Sequence, residues 1–153
     1  MRNTVKIETS LEELMPIMRE CLAAGKSFRF SPRGVSMLPM LREGKDSVLL
    51  SPAPEKLKKY DIPLYQRDNG KYVLHRIVST GESYTCIGDN QFSYENGIRH
   101  EQVIAVVTGF YRGEIYFSTE NLLYKSYCVL WQKSRSLRHF LHRGIGFLRR
   151  CLK

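Results

Sequence analysis

The chain has 153 residues, 42% hydrophobic and 25% charged, with 24 Lys or Arg against 15 Asp or Glu and a formal net charge of +9, which suits one small domain with a real core. A spanning helix is excluded because the charge-free run at 102–111 is ten residues, well short of the roughly 20 a bilayer requires. Residues 1–9 carry Arg2, Lys6 and Glu8 and no apolar core of signal-peptide length, and Cys21, Cys86, Cys128 and Cys151 form no C-x-x-C pair with His at ligand spacing. No metal or other cofactor is therefore expected, and the cysteines read as free thiols of a cytoplasmic protein.

In chain order, Ser10 with Glu13 three residues on is a capping box that opens a helix to about Ala24, with Gly25 as its stop and Pro16 as a kink or late start. From 28 to 118 the pattern is β, with runs at 47–50, 62–66, 71–79, 83–87 and 103–111. Asp68-Asn69-Gly70 is a hairpin signal, since Asn-Gly supplies positive φ angles. Period-two alternation along 71–79 puts Val73, His75 and Ile77 on one face and Leu74, Arg76 and Val78 on the other. Pro63, inside the 62–66 run, implies an edge strand or a bulge.

Charge is uneven. Residues 1–120 carry 16 basic and 15 acidic side chains, whereas 121–153 carry eight basic and no acidic ones. There Leu137, Phe140, Leu141, Ile145, Leu148 and Leu152 recur at helical spacing with arginines beside them. A basic amphipathic helix of this kind can lie on an anionic membrane through residues 135–153, making the protein peripheral. Gly144 and Gly146 weaken that helix. The three expected segments are 1–27, helical; 28–118, the β domain; and 119–153, a basic helical tail. Only 27 residues precede the β domain, with one helix among them. That is too little for a recognition-helix pair, so nucleic acid is not an expected partner.

The chemistry concentrates at Gly34-Val35-Ser36-Met37-Leu38-Pro39-Met40-Leu41, with His75-Arg76-Ile77 and Gly88-Asp89-Asn90 following. A serine hydroxyl is a weak nucleophile until a positioned base takes its proton. Gly34 lets the backbone approach a substrate and Pro39 stiffens the exit of the loop. A neutral imidazole at His75 suits the base, because it can accept the Ser36 proton and return it to a leaving amine. Lys71 is the alternative base, although it follows the Asn-Gly turn and should be solvated. Taken singly, Ser36 would be an ordinary turn residue and His75 a packed ring.

Four motifs in order, Gly-x-Ser-Met-x-Pro-x-Leu, Asp-Ile-x-x-Tyr, Val-Leu-His-Arg-Ile-Val and Ile-Gly-Asp-Asn, resemble the signal peptidase I family and its S24/S26 peptidase relatives over about residues 30–113. The resemblance implies a mainly β fold of the signal peptidase and LexA-like type, flanked here by an N-terminal and a C-terminal helix. It also implies a serine endopeptidase that cleaves a leader or signal segment from a peptide or preprotein, with Ser36 and His75 as the catalytic pair. In histidine-type relatives an acid after the Gly-Asp-Asn turn orients the imidazole. That pattern favours Glu95, while Asp89 is also in place and could instead hold the turn through local backbone bonds; both stay open. Gly34, Val35, Met37 and Pro39 would form the substrate and oxyanion loop.

The chain departs from the family pattern in three places. Gly34 replaces the usual hydroxyl residue, which leaves the oxyanion to backbone N–H groups, chiefly that of Ser36. Tyr60 stands where glycine is usual before Asp61-Ile62, and no membrane anchor is present in the sequence. A cytosolic protease that trims leader peptides would accommodate the missing anchor. A non-catalytic peptide-binding domain that keeps the fold is the competing class.

Overall fold

The structure is a computed structural model that describes residues 10–140. Helix α1 (Leu11–Ala23) starts as its sequence requires: the Ser10 side chain accepts from the Glu13 N–H, and the Glu13 carboxylate accepts from the Ser10 N–H. Pro16 is carried inside the helix, and Gly25 follows with φ 71°. The strands are β1 (Phe28–Phe30), β2 (Asp46–Pro52), β3 (Pro63–Gln66), β4 (Tyr72–Leu74), β5 (Arg76–Ser79), β6 (Tyr84–Ile87), β7 (Glu95–Ile98), β8 (Val103–Arg112) and β9 (Ile115–Ser118). Helix α2 (Leu122–Lys133) comes next, and residues 135–140 are again helical.

Two antiparallel sheets result. The larger runs β1-β2-β8-β3-β4 with β9 also on β8; the smaller runs β5-β6-β7. The chain is thus mainly β, with an N-terminal helix and C-terminal helices. Alternation along the central strands feeds two cores. Leu64, Ala105 and Val107 join α1, the 37–41 segment and α2 in the first, whereas Tyr65 and Val106 meet Ile77, Tyr84, Cys86 and Ile98 in the second, which joins the sheets.

Two expectations change here and one resolves between its alternatives. The 71–79 run is not one strand: it breaks at His75, and its halves enter different sheets. The cause lies in the chain before it, where Tyr60 N–H donates to Ile77 O and Ile77 N–H donates to Asp61 O, drawing the second half away from β3. Facial alternation survives the break, since Val73 and Ile77 pack in the second core and Leu74 in the first. Of the two alternatives for Pro63, an edge strand or a bulge, Pro63 takes the second, because β3 lies between β4 and β8. It opens the strand beside a register shift at Leu64/Tyr65, where its missing N–H is tolerated. In the β3–β4 hairpin only Gly70 has positive φ, 82°, so the turn is a three-residue loop with glycine in the left-handed position rather than an Asn-Gly two-residue turn.

Strands β1, β7 and β9 have no separate counterpart among the expected runs. β7 is polar and glycine-broken (Glu95-Asn96-Gly97-Ile98), and β1 has only three residues, too short for a period to register. The segment expected as a tail from 119 onward belongs, as far as it is described, to the packed body: Tyr124 and Cys128 sit in the first core. Among the described residues no helix is long and apolar enough to cross a membrane. Cys21, Cys86 and Cys128 are free thiols.

Candidate active site

Ser36 lies on a compact loop held by its own apolar side chains. Met37, Met40 and Leu41 are buried in the first core, each worth roughly 1.5–3 kcal/mol relative to exposure, so the loop is anchored on either side of a half-exposed serine. Leu38 N–H donates to Val35 O at 3.2 Å and Leu41 N–H to Met37 O at 3.0 Å, closing two turns, and the Leu38–Pro39 peptide is cis. Gly34 has φ 90° with open space where a Cβ would stand, so backbone conformation rather than crowding selects glycine there. The Ser36 N–H makes no hydrogen bond within the described residues.

A cavity of about 220 Å³ opens beside this loop, and Ser36 and His75 both line it, together with Gly34, Met37, Arg67 and Gln91. Val35 instead points to solvent. Pro39 lines a separate apolar hollow with Met40, Phe110 and Tyr124, so of the four loop residues expected around the serine only Gly34 and Met37 border its cavity. Lys71 is exposed and borders neither.

His75 is 5% exposed and occupies the break between the sheets. Its Nδ1 is 3.4 Å from the Tyr65 hydroxyl and 3.7 Å from Glu95 Oε2. Tyr65 donates to Glu95 Oε2 at 2.8 Å, which leaves its oxygen free to accept from Nδ1–H. That arrangement selects the Nδ1–H tautomer and leaves the Nε2 lone pair for another proton donor. Burial pushes the His75 pKa down to about 4, against the opposing pull of Glu95, so the ring is neutral throughout the physiological range. Glu95 is held below its ordinary value: burial works against the carboxylate, but two short bonds from Arg67, 2.6 and 2.7 Å, and the one from Tyr65 outweigh it.

Asp89 occupies a different node. It is 0% exposed and accepts from Arg76 Nε at 2.8 Å and Nη2 at 2.7 Å, with Arg76 also fully buried. Gln132 reaches the same carboxylate at 3.3 Å. The local backbone bonds expected of Asp89 are not formed; its carboxylate is directed across the fold to the arginine. The remaining Arg76 donors meet Tyr60 O, the Tyr124 hydroxyl, Cys128 Sγ and Met40 Sδ.

Gly88-Asp89-Asn90 braces the serine loop. Asn90 N–H donates to Ser36 O at 2.8 Å and its side-chain amide donates to Val35 O at 3.2 Å. A Cβ on Gly88 would come within 2.6 Å of Ser36 O, so glycine is required there by close approach. Tyr60 has φ 78°, a conformation that suits glycine and burdens a tyrosine.

Sequence reasoning missed Tyr65 and Arg67, since no spacing rule ties a strand tyrosine and a turn-flanking arginine to a glutamate about 30 residues away. Tyr65 does stand in the quoted Asp-Ile-x-x-Tyr motif, which was the available signal. Arg135 and Arg138, expected beside a lipid-facing stripe, instead contact the protein: Arg135 is 6% exposed and Arg138 lies over the Trp131 ring at 3.6 Å. Leu137 and Phe140 are 62% and 75% exposed; Leu141, Ile145, Leu148 and Leu152 lie outside the described residues. Comparison with known proteins returns no matching family model, no matching curated protein and no matching solved structure.

Proposed function

We propose that this chain is a serine endopeptidase of the signal peptidase type, acting on the leader or signal segment of a peptide or preprotein. The observation that carries the reading is the shared cavity: Ser36 and His75 border one space, and behind the imidazole stand a hydroxyl and a carboxylate that select its tautomer. Ser36 Oγ attacks the scissile carbonyl carbon while His75 Nε2 takes the hydroxyl proton. The oxyanion that forms is met by the free Ser36 N–H, and collapse of the intermediate breaks the C–N bond as His75 returns the proton to the leaving amine. Water, deprotonated by the same imidazole, then hydrolyses the acyl-serine and restores the hydroxyl. Glu95, through Tyr65, is the acid that orients the ring in this scheme, and Asp89 is not. No step calls for a cofactor. If the family's preference carries over, small residues such as Ala precede the cleaved bond. The exposed Leu137 and Phe140, with the basic charge that follows them in sequence, keep an anionic membrane surface as a proposed partner.

The test is incubation with a diverse peptide library and mass-spectrometric identification of new termini. Cleavage by the wild type that falls by about 10⁴-fold or more in both Ser36→Ala and His75→Ala is the expected result. Peptides retained but never cut, with equal retention by both variants, would establish the binding-domain alternative.

A further inference from the structure

We propose that Trp131 and Arg135, on the C-terminal helical segment, are positioning residues for Ser36 and act through the turn at 88–91, Trp131 on the Asp89–Asn90 peptide group and Arg135 on the flanking carbonyls of Gly88 and Gln91; the catalytic consequence rests on the reading of Ser36 as nucleophile. The turn at 88–91 has two sides. Toward the serine loop it presents the Asn90 N–H, 2.8 Å from Ser36 O. Toward the C-terminal segment it presents carbonyls, and those of Gly88, Asp89 and Gln91 all accept from residues 131–138. Trp131 Nε1 donates to Asp89 O at 3.0 Å and Arg138 Nη1 to the same oxygen at 3.4 Å, while Arg135 Nη1 donates to Gly88 O at 3.4 Å and to Gln91 O.

The Asp89 carbonyl and the Asn90 N–H belong to one planar unit. A donor that fixes the oxygen on one side therefore fixes the direction of the N–H on the other, and that N–H sets the height of the Ser36 backbone above the cavity. The turn lies outside regular structure, so no sheet ladder fixes this plane.

Arg135 supports the same conclusion by its surroundings. It is buried, yet no carboxylate lies within salt-bridge distance among the described residues; its other nitrogens donate to Gln132 Oε1 at 3.2 and 2.8 Å. Burying a guanidinium against neutral carbonyls costs free energy that a surface arginine avoids, and its rigid fork is what lets one side chain address helix and turn together. Tyr127 provides the contrast. It stacks on Trp131 with ring centroids 5.9 Å apart, but among the described residues its buried hydroxyl has no hydrogen-bond partner and so makes no hydrogen bond to the turn.

The experiment compares full-length wild type with Trp131→Phe, Arg135→Lys and Tyr127→Phe. It reads amide hydrogen exchange at Asn90 and, on a peptide the wild type cleaves, kcat and KM separately. Trp131→Phe keeps the stacked ring and removes only the donor, so Asn90 exchange should rise about tenfold and kcat should fall about tenfold with KM within about twofold. Arg135→Lys, which keeps the charge and loses the fork, should shift both quantities in the same direction by about threefold or more. Tyr127→Phe should shift neither. Unchanged Asn90 exchange in both Trp131→Phe and Arg135→Lys would overturn the proposal. Faster exchange in those variants, with a wild type that hydrolyses no peptide, would uphold the positioning contact and remove the protease reading.

Discussion

Two acid and cation nodes lie close to the serine loop, and they are built to opposite ends. At Arg76 and Asp89 both side chains are fully buried, the guanidinium donors all have partners, and Trp131 and Gln132 close the region from the C-terminal helix. At Arg67, Glu95, Tyr65 and His75 the arginine and glutamate remain partly exposed, and the group that faces the cavity is an uncharged imidazole. A sealed ion pair cannot exchange a proton without stranding a charge in a medium of low polarity. A neutral ring backed by a hydroxyl and an anion can accept one, because the imidazolium it becomes is met by a carboxylate already in place. Two acids six residues apart in sequence thus stand in separate nodes, one sealed in the fold and one behind the ring that borders the cavity, and the division follows from where their cations lie.

The largest effect is expected from removing Asp89. Asp89→Ala leaves the Arg76 charge buried and unpaired, and denaturant titration should show a loss of about 3–5 kcal/mol. Replacing both residues by apolar ones of similar volume should recover much of that loss. A small effect of Asp89→Ala would mean the node is not the sealed pair described.

Protonation distinguishes the other node. The His75 pKa is lowered in the folded protein to about 4, against an ordinary 6.5. Between those values the unfolded chain binds more protons than the folded one, so stability rises with pH across the window. The His75 contribution is fully present above about pH 6.5 and is lost as pH falls toward 4, to a limit of about 3 kcal/mol. Stability curves of wild type and His75→Gln should therefore converge as the pH falls through this range, and parallel curves would show that the ring is not buried neutral.

A smaller effect belongs to Tyr65. Tyr65→Phe removes the hydroxyl between His75 Nδ1 and Glu95 while leaving the ring in the second core, so on a peptide the wild type cleaves turnover should drop about tenfold, with a stability loss of about 1–3 kcal/mol from the buried His75 N–H left without its acceptor. An unchanged rate would place the orienting contact on Glu95 alone.

Features that depend on neighbours along the chain are legible without the fold. The capping box at Ser10 and Glu13, the glycine stop at Gly25, the hairpin at Asp68-Asn69-Gly70 and the β runs that form β2, β3 and β8 are local, and each forms about where it is expected. The order of motifs also singled out Ser36 and His75, which border one cavity. The remaining features depend on contacts between distant parts of the chain. The break at His75 comes from hydrogen bonds to Tyr60 and Asp61, more than a dozen residues upstream, and period two reads the same whether a strand continues in its sheet or crosses to another. The separation of Asp89 from Glu95 depends on Arg76 and Arg67, and the bracing of the Asp89 carbonyl depends on Trp131, 42 residues away. Pairings of that kind are chosen by which surfaces the packed sheets bring together, and burial then makes each chosen partner necessary.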